Sequence, residues 1–443
     1  MREGKSTGAR TRIVAAALLL FALGALLGVA FARANLSAKQ QEEADIREEL
    51  QRIVNEEPER AADANKALDA LDQPESSARG RQSRNRRERS SRRIVNGMPS
   101  RSHPAVGALL QGNDPHTAKV QCTGTLVGCD KFLTAAHCIA DHPSADQYLV
   151  FFQELGFFRV KAVKWQQDKY DSPYFDWAML TLARPVEGIA AMAINTSVEP
   201  LNGSIATIVG FGRTGGSRLD YGIKREGSVK LSACPDDLAR SRALCWRYDA
   251  DVQSNSSAQN TCHADSGGGI FMRDSDGPRI VEKVFGIVSG GMDDDCMKND
   301  LSYNVDTFRY RDWIEAAGEG RLQPGMCGRP LWDSAATEPV RNRFRLGTAT
   351  PEVRFTVEAP AGASALRVAM NAEDNGSGEN EFQISVFKGQ ALADSGDACT
   401  GHGSGRFAFC EIERPEPGVW TISLTRKKGE GEAQVTTLLV NAN

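Results

Sequence analysis

Residues 262–269 read CHADSGGG, and the reading of the chain turns on this stretch. Small side chains around Ser266 let backbone N–H groups converge on one point, where the amides of Ala264 and Ser266 can receive a developing oxyanion. A glycine-rich β-turn with an incidental serine is the bland alternative, so the neighbours of two further residues must discriminate. His137 lies in LTAAHC (133–138), where a half-buried imidazole can take a serine proton and return it to a leaving amine. Asp176 opens DWAML (176–180), a carboxylate leading into a short apolar strand and suited to holding an imidazole in one tautomer. His103, His116, His142, His263 and His402 lack such a setting, and Asp168 and Asp171 sit in a more polar loop.

A chain of 443 residues is long enough for two or three domains. Its apolar fraction of 41% and charged fraction of 25% are those of ordinary globular protein and name no function. The net charge of −4 hides a run from Arg81 to Arg93 with seven arginines and one acid, yet the whole lacks the basic balance of a nucleic-acid binder. Residues 13–32 form an uncharged apolar stretch behind a basic start, long enough to cross a bilayer. Ala30 and Ala32 also fit the small-x-small pattern of an export signal, so a cleaved signal and an uncleaved membrane anchor both remain open. Either sends the rest of the chain out of the cytoplasm, and ten cysteines suit an oxidising compartment. All ten follow Arg93, so no disulfide can hold residues 1–93 to the remainder. No HExxH or paired ligand spacing occurs, and neither a metal nor another cofactor is expected. Asn195, Asn202, Asn255 and Asn375 stand in N-x-Ser/Thr triplets.

The pattern along the chain predicts a signal or anchor over 1–35 and a helical stalk or propeptide with a basic linker over 36–93. Short apolar runs then predict a mostly β domain over 94–317, with strands at 106–110, 147–152, 157–165, 205–209 and 284–288. A closing helix is expected at 307–317, its apolar side formed by Phe308, Trp313 and Ile314. A connection over 318–342 leads to a small β-sandwich over 343–443, with strands at 353–357, 366–370, 382–387, 407–411, 419–424 and 433–440.

IVNG (94–97), TAAHC (134–138), DWAML (176–180), DSGG (265–268) and GIVSGG (286–291) occur in that order, and together they resemble the trypsin/chymotrypsin family of serine peptidases. The resemblance implies an all-β fold of two six-stranded barrels with the active site between them, acting on protein or peptide substrates. It makes His137 the general base, Asp176 its partner, Ser266 the nucleophile, and Ser289 a support for the buried aspartate. It also implies a zymogen cut between Arg93 and Ile94 by an arginine-accepting protease, after which the Ile94 ammonium pairs with Asp265. Asn260 and Thr261 stand where members that prefer basic residues carry aspartate, which argues against such a preference and against self-cutting. Ser289, Gly290 and Gly291 form the strand expected to pair with substrate backbone. Asp293 to Asp295 read either as a solvated acidic turn or as an attraction for a basic side chain at a neighbouring subsite.

Ala264 replaces the family's glycine, so its methyl is expected to strain the oxyanion turn. A catalytically inactive relative serving as a binding module is the alternative this departure leaves open. Sequence separation and the resemblance pair Cys122 with Cys138, Cys262 with Cys296, Cys234 with Cys245, and Cys399 with Cys410 across a hairpin, with Cys129 and Cys327 as the remaining pair. Residues 343–441 resemble the bacterial pre-peptidase C-terminal domain through RFTVEAPAGASALRVAM (354–370), ISVFKG (384–389) and CEIERPEPGVWTISL (410–424).

Overall fold

Alternation of apolar and polar side chains builds half-buried strands, whereas runs buried on both faces become the walls of closed barrels. Both patterns occur in the computed structural model, which describes residues 94–441 except 172–173, 217, 219, 240–242, 249–258, 277–278, 298–299, 333–337, 374–379, 390–398 and 401–405. The expected signal or anchor, the stalk, the basic linker, Arg93, Asn255 and Asn375 lie outside the described residues. Among the described residues, no helix is long and apolar enough to cross a membrane.

The first barrel is closed and six-stranded. Its strands are β1 (Val106–Gln111), β2 (Lys119–Gly128), β3 (Lys131–Thr134), β4 (Tyr148–Phe152), β5 (Gly156–Trp165) and β6 (Ala178–Leu182), joined in the order β1-β2-β3-β6-β5-β4 and back to β1. β3, β4 and β6 are buried along their whole length, as a filled barrel interior beside covering layers requires.

The second barrel departs from the expected six-stranded closure. β7 (Ile205–Gly210), β8 (Arg225–Lys230), β9 (Ala243–Arg247), β10 (Gly269–Asp276), β11 (Arg279–Gly291) and β12 (Leu301–Asp306) curl in the order β8-β7-β10-β11-β12-β9, with Met98–Pro99 added beyond β8. Among the described residues, the ends meet through one bridge, between Ser232 and Cys245. β9 is short, and the local Cys234–Cys245 disulfide joins it to the segment after β8 in place of a ladder.

Helix α1 (Thr307–Gly318) starts where the Asp306 carboxylate accepts the Phe308 amide, and ends where Glu319 turns left-handed. Tyr310 and Ile314 lie on its buried side, while Phe308 is only half-buried, so Tyr310 takes the place expected for Phe308. The stretch expected as a plain connection is ordered in part. Gly325–Met326 pairs with Ala190–Ala191, Cys327 bonds to Cys129 on the first barrel, and the next strand already begins at Val340.

The C-terminal sandwich packs two four-stranded antiparallel sheets. One runs β13 (Val340–Leu346), β20 (Gly431–Asn441), β15 (Ala363–Ala372), β18 (Phe407–Glu413). The other runs β14 (Glu352–Ala359), β19 (Gly418–Lys428), β16 (Glu381–Lys388), β17 (Cys399–Thr400). β14 alternates strictly, turning Val353, Phe355 and Val357 towards a core of Leu366, Val368, Ile384, Ile422 and Val435. The Cys399–Cys410 disulfide therefore joins β17 of one sheet to β18 of the other, rather than stapling a hairpin.

Candidate active site

β3 delivers its final residue, Thr134, to the cleft face, and the buried Ala135 and Ala136 lead into a tight turn that presents His137. The Cys122–Cys138 disulfide fixes this turn to β2. Asp176 immediately precedes the buried Trp177 and β6. The residue before it, Phe175, has a left-handed backbone and packs between Tyr310 and Trp313 of α1, and its amide donates to the Tyr310 hydroxyl. The aromatic wedge sets where the chain turns inward, and the carboxylate follows.

The two side chains meet. His137 Nδ1 lies 2.8 Å from Asp176 Oδ2, the His137 backbone amide donates to Oδ1 at 2.9 Å, and the Ser289 hydroxyl donates to Oδ2. Burial pushes the Asp176 carboxyl up, but the charge and hydrogen bonds of His137, with that of Ser289, outweigh it and hold it below its usual range. Burial pulls His137 down, and the adjoining carboxylate more than reverses this, leaving the imidazole above 6.5. Asp168 and Asp171 are exposed.

Ser266 lines the same cleft of 220 Å³ as His137. Its hydroxyl is 3.4 Å from the Ser289 carbonyl, and among the described residues it makes no hydrogen bond to His137. Free sites commonly leave this contact slack until substrate tightens it. The turn carrying Ser266 is locked onto the first barrel by Thr123, whose amide donates to the Ser266 carbonyl at 2.8 Å and whose hydroxyl donates to the Ala264 carbonyl at 2.8 Å. Gly267, at φ +82, is the closest approach: a Cβ there would lie 2.0 Å from the Thr134 hydroxyl. Ala264 adopts φ +69, the left-handed strain its methyl implied. Among the described residues, the Ala264 and Ser266 amides donate to no protein acceptor, which leaves both available to a ligand oxygen.

Asp265, between them, is fully buried. Its carboxylate accepts the Gly212 amide at 2.8 Å and the Cys262 amide at 3.0 Å. Burial pushes it up to about 7 against these two amides and the charge of Arg225. Ile94 is also fully buried, and Val95 pairs with Asn260.

The pocket differs from the one expected. Thr261, Ser289, Gly290 and Gly291 line it, but Asn260 does not. The Asn260 oxygen accepts from Trp246 Nε1 and the Ser302 hydroxyl, and its nitrogen donates to the Cys296 carbonyl and to Asp300 Oδ2 at 2.8 Å, so the amide is spent inside the protein. Asp300, which the sequence reading missed, lines the pocket with Asp293 and Asp294. Its Oδ1 accepts the amides of Met292 and Asp293, and a Cβ on Gly291 would lie 2.6 Å from Oδ2. An isolated acid in DDDCMKND carries no recognisable pattern, so no local signal could have singled it out. Asn195 is fully buried and donates to the Val198 carbonyl, which makes it unfit as a glycan acceptor.

The five disulfides join the expected partners, including Cys262–Cys296 beside the pocket. Among the described residues, one cluster has metal-ligand spacing, Cys122, Cys138 and His137, and its sulfurs are bonded to each other.

Residues 94–314 match the trypsin family. A trypsin-like protease of Streptomyces glaucescens is 29% identical over 223 residues, covering 47% of this chain and 75% of that protein. The platelet-aggregating proteinase PA-BJ of Bothrops jararaca is 24% identical over 243 residues, covering 50% and 93%. Serine protease 56 of Mus musculus is 29% identical over 274 residues, covering 56% and 42%.

Proposed function

Since residues 94–314 are a trypsin-family serine-peptidase domain and the protein is a serine endopeptidase, we propose that Ser266, His137 and Asp176 carry out the hydrolysis through an acyl-enzyme. The observation that carries this is the 2.8 Å contact between His137 Nδ1 and the buried Asp176, on the cleft that Ser266 also lines. Asp176 holds the proton on Nδ1, so Nε2 faces the cleft as a base. The Ser266 hydroxyl gives Nε2 its proton as Oγ bonds to the substrate carbonyl carbon. The carbonyl oxygen becomes an anion held by the Ala264 and Ser266 amides. Imidazolium then protonates the leaving amine, the C–N bond breaks, and water repeats the sequence to free the acid and Ser266.

The activation reading follows from Asp265. A cut between Arg93 and Ile94 by an arginine-accepting protease creates an ammonium at a residue whose side chain is already fully buried. Pairing it with Asp265 supplies the countercharge that a buried carboxylate needs and fixes the turn that presents both oxyanion amides. Ser289 to Gly291, at the end of β11, pair with an extended substrate backbone. The three aspartates lining the pocket favour a basic substrate side chain, contrary to what Asn260 implied, because among the described residues no lysine or arginine lines it. The sandwich, by its likeness to pre-peptidase C-terminal domains, and the apolar stretch at 13–32 support an exported enzyme, anchored or released.

Ala264 also bears on the inactive alternative. It accepts the backbone conformation that glycine would take, which keeps the oxyanion amides in place and favours the enzyme. The test is to cut the full chain after Arg93 and expose it to a fluorophosphonate. Labelling of Ser266 together with peptide hydrolysis is expected; no label and no cleavage across a peptide library would leave only the binding module.

A further inference from the structure

The sandwich and the peptidase domain belong to one structural unit, and their contact is polar as well as apolar. Gln153 Nε2 donates to Asn371 Oδ1 and Gln434 Oε1, and Asn371 Nδ2 donates to the Gly222 carbonyl. Phe151 meets Phe407 at 4.9 Å, and Phe409 lies against Gly156. One element of this interface leads to the residue next to Ser266. Arg225, on β8, has no exposed side-chain surface, and its guanidinium donates to the carbonyls of Gly212, Asp220 and Ile223. A carboxylate from the other domain reaches it: Glu373 Oε1 lies 3.5 Å from Arg225 Nη2.

We propose that Glu373 of the C-terminal sandwich is a positioning residue for catalysis, bracing the turn that carries Ser266 through Arg225, Gly212 and Asp265. Each link is a direct contact. Glu373 pairs with Arg225, Arg225 Nη1 donates to the Gly212 carbonyl at 3.1 Å, and the Gly212 amide donates to Asp265 Oδ1 at 2.8 Å. Asp265 is adjacent to Ser266 in the chain and separates the two oxyanion amides.

Little slack exists along this path. A Cβ on Gly210 or Gly212 would lie 2.1 or 2.5 Å from the Asp265 carboxylate, and one on Gly222 would lie 2.3 Å from the Ala372 carbonyl. Gly210 and Gly212 are thus held against the oxyanion turn, and Gly222 against the sandwich. Glu373 is itself fixed, because its second oxygen accepts the Glu432 amide at 2.9 Å and its carbonyl accepts from Asn380. Taking away the Glu373 carboxylate would remove one countercharge from a buried guanidinium, and the carbonyl contacts of Arg225 would then shift towards another arrangement. A catalytic turn works only when its supporting contacts are themselves rigid.

The inference rests on the reading that Asp265 organises the oxyanion turn, so the experiment separates the two. The full chain, cut after Arg93, is compared as wild type, Glu373→Ala, Phe409→Ala and Asp265→Asn. Each is measured for kcat and KM on a chromogenic peptide, for the rate of fluorophosphonate labelling, and for Tm. Glu373→Ala is expected to lower kcat and the labelling rate about tenfold with KM little changed. Phe409→Ala, which weakens the interface away from Arg225, is expected to lower Tm and leave kcat alone. Glu373→Gln, which keeps the side-chain volume, is measured in the same way and replaces the alanine variant if that chain does not fold. Wild-type kcat in the Glu373 variant, or equal losses in the Glu373 and Phe409 variants that follow Tm, would overturn the proposal. Full turnover in Asp265→Asn would instead overturn the reading beneath it.

Discussion

Asp176 holds His137 at two points, taking its backbone amide on Oδ1 and its ring Nδ1 on Oδ2. The first bond fixes where the ring begins and the second fixes how it is turned, so the carboxylate sets both position and tautomer. Ser289 supplies a third contact from the opposite barrel, so neither barrel alone completes the arrangement.

Asp176→Asn should therefore cost more than a charge. An amide can donate to Nδ1 and favour the wrong tautomer, and kcat is expected to fall by about four orders of magnitude. With the neutral imidazole as the proposed base, kcat/KM is expected to fall as pH drops through the His137 pKa, which the Asp176 carboxylate raises above its ordinary 6.5. A pH–rate profile should place the acid limb above that value in the wild type, and lower in the asparagine variant if residual activity permits.

Ala264 at φ +69 predicts the opposite direction of change. Ala264→Gly relieves left-handed strain of about 1–2 kcal/mol, offset in part by the greater freedom of glycine in the unfolded chain. Urea unfolding should show a gain of up to about 1 kcal/mol. Ala264→Val, with a branched Cβ at the same φ, should be destabilised and slow; equal stability for all three would contradict the strain.

Asp265 predicts a pH-dependent stability that activation removes. In the folded chain its pKa is pushed up to about 7, above its ordinary 3.8, so the folded state holds this proton more tightly than the unfolded state. The contribution is complete below 3.8 and is lost as pH rises through about 7. Unfolding across this window should show the loss in the uncut chain, but not in uncut Asp265→Asn or after the cut at Arg93. In the cut enzyme Asp265→Asn should fold and turn over about a hundredfold more slowly, the scale of losing one oxyanion donor.

Asp300 predicts substrate preference. Among the described residues its carboxylate uses three of roughly four acceptor positions on Met292, Asp293 and Asn260, leaving one on Oδ2. Cleavage profiling on a peptide library should favour lysine or arginine before the scissile bond, and Asp300→Asn should lower kcat/KM for these at least tenfold. A wild-type preference for large apolar residues would exclude this role for Asp300.

Much of the architecture was legible because it rests on local pattern. The strands at 106–110, 205–209 and 366–370 sit inside observed strands, since burial on one or two faces writes a short-range periodicity. His137, Asp176 and Ser266 stood out as candidates because each sits in a short peptide of small or apolar neighbours, and the structure brings His137 to Asp176 on the cleft that Ser266 lines. Asn260 shows where such reasoning ends: its distance from Ser266 suggested the pocket, but Trp246, Ser302 and Asp300 turned it into the interior. Tyr310, Thr123 and Arg225 left no local mark, because each acts on a partner far along the chain.

The linear order of motifs, the apolar alternation and the placement of every cysteine after Arg93 belonged to the sequence alone, because each is a property of neighbours in the chain. Only the tertiary structure decided that a bridge from Ser232 to Cys245 joins the ends of the second barrel, that Asp300 and not Asn260 faces the pocket, and that Glu373 reaches Arg225. These depend on angstrom-scale convergence of residues as much as 148 positions apart, where packing and the pairing of buried polar groups choose the partner.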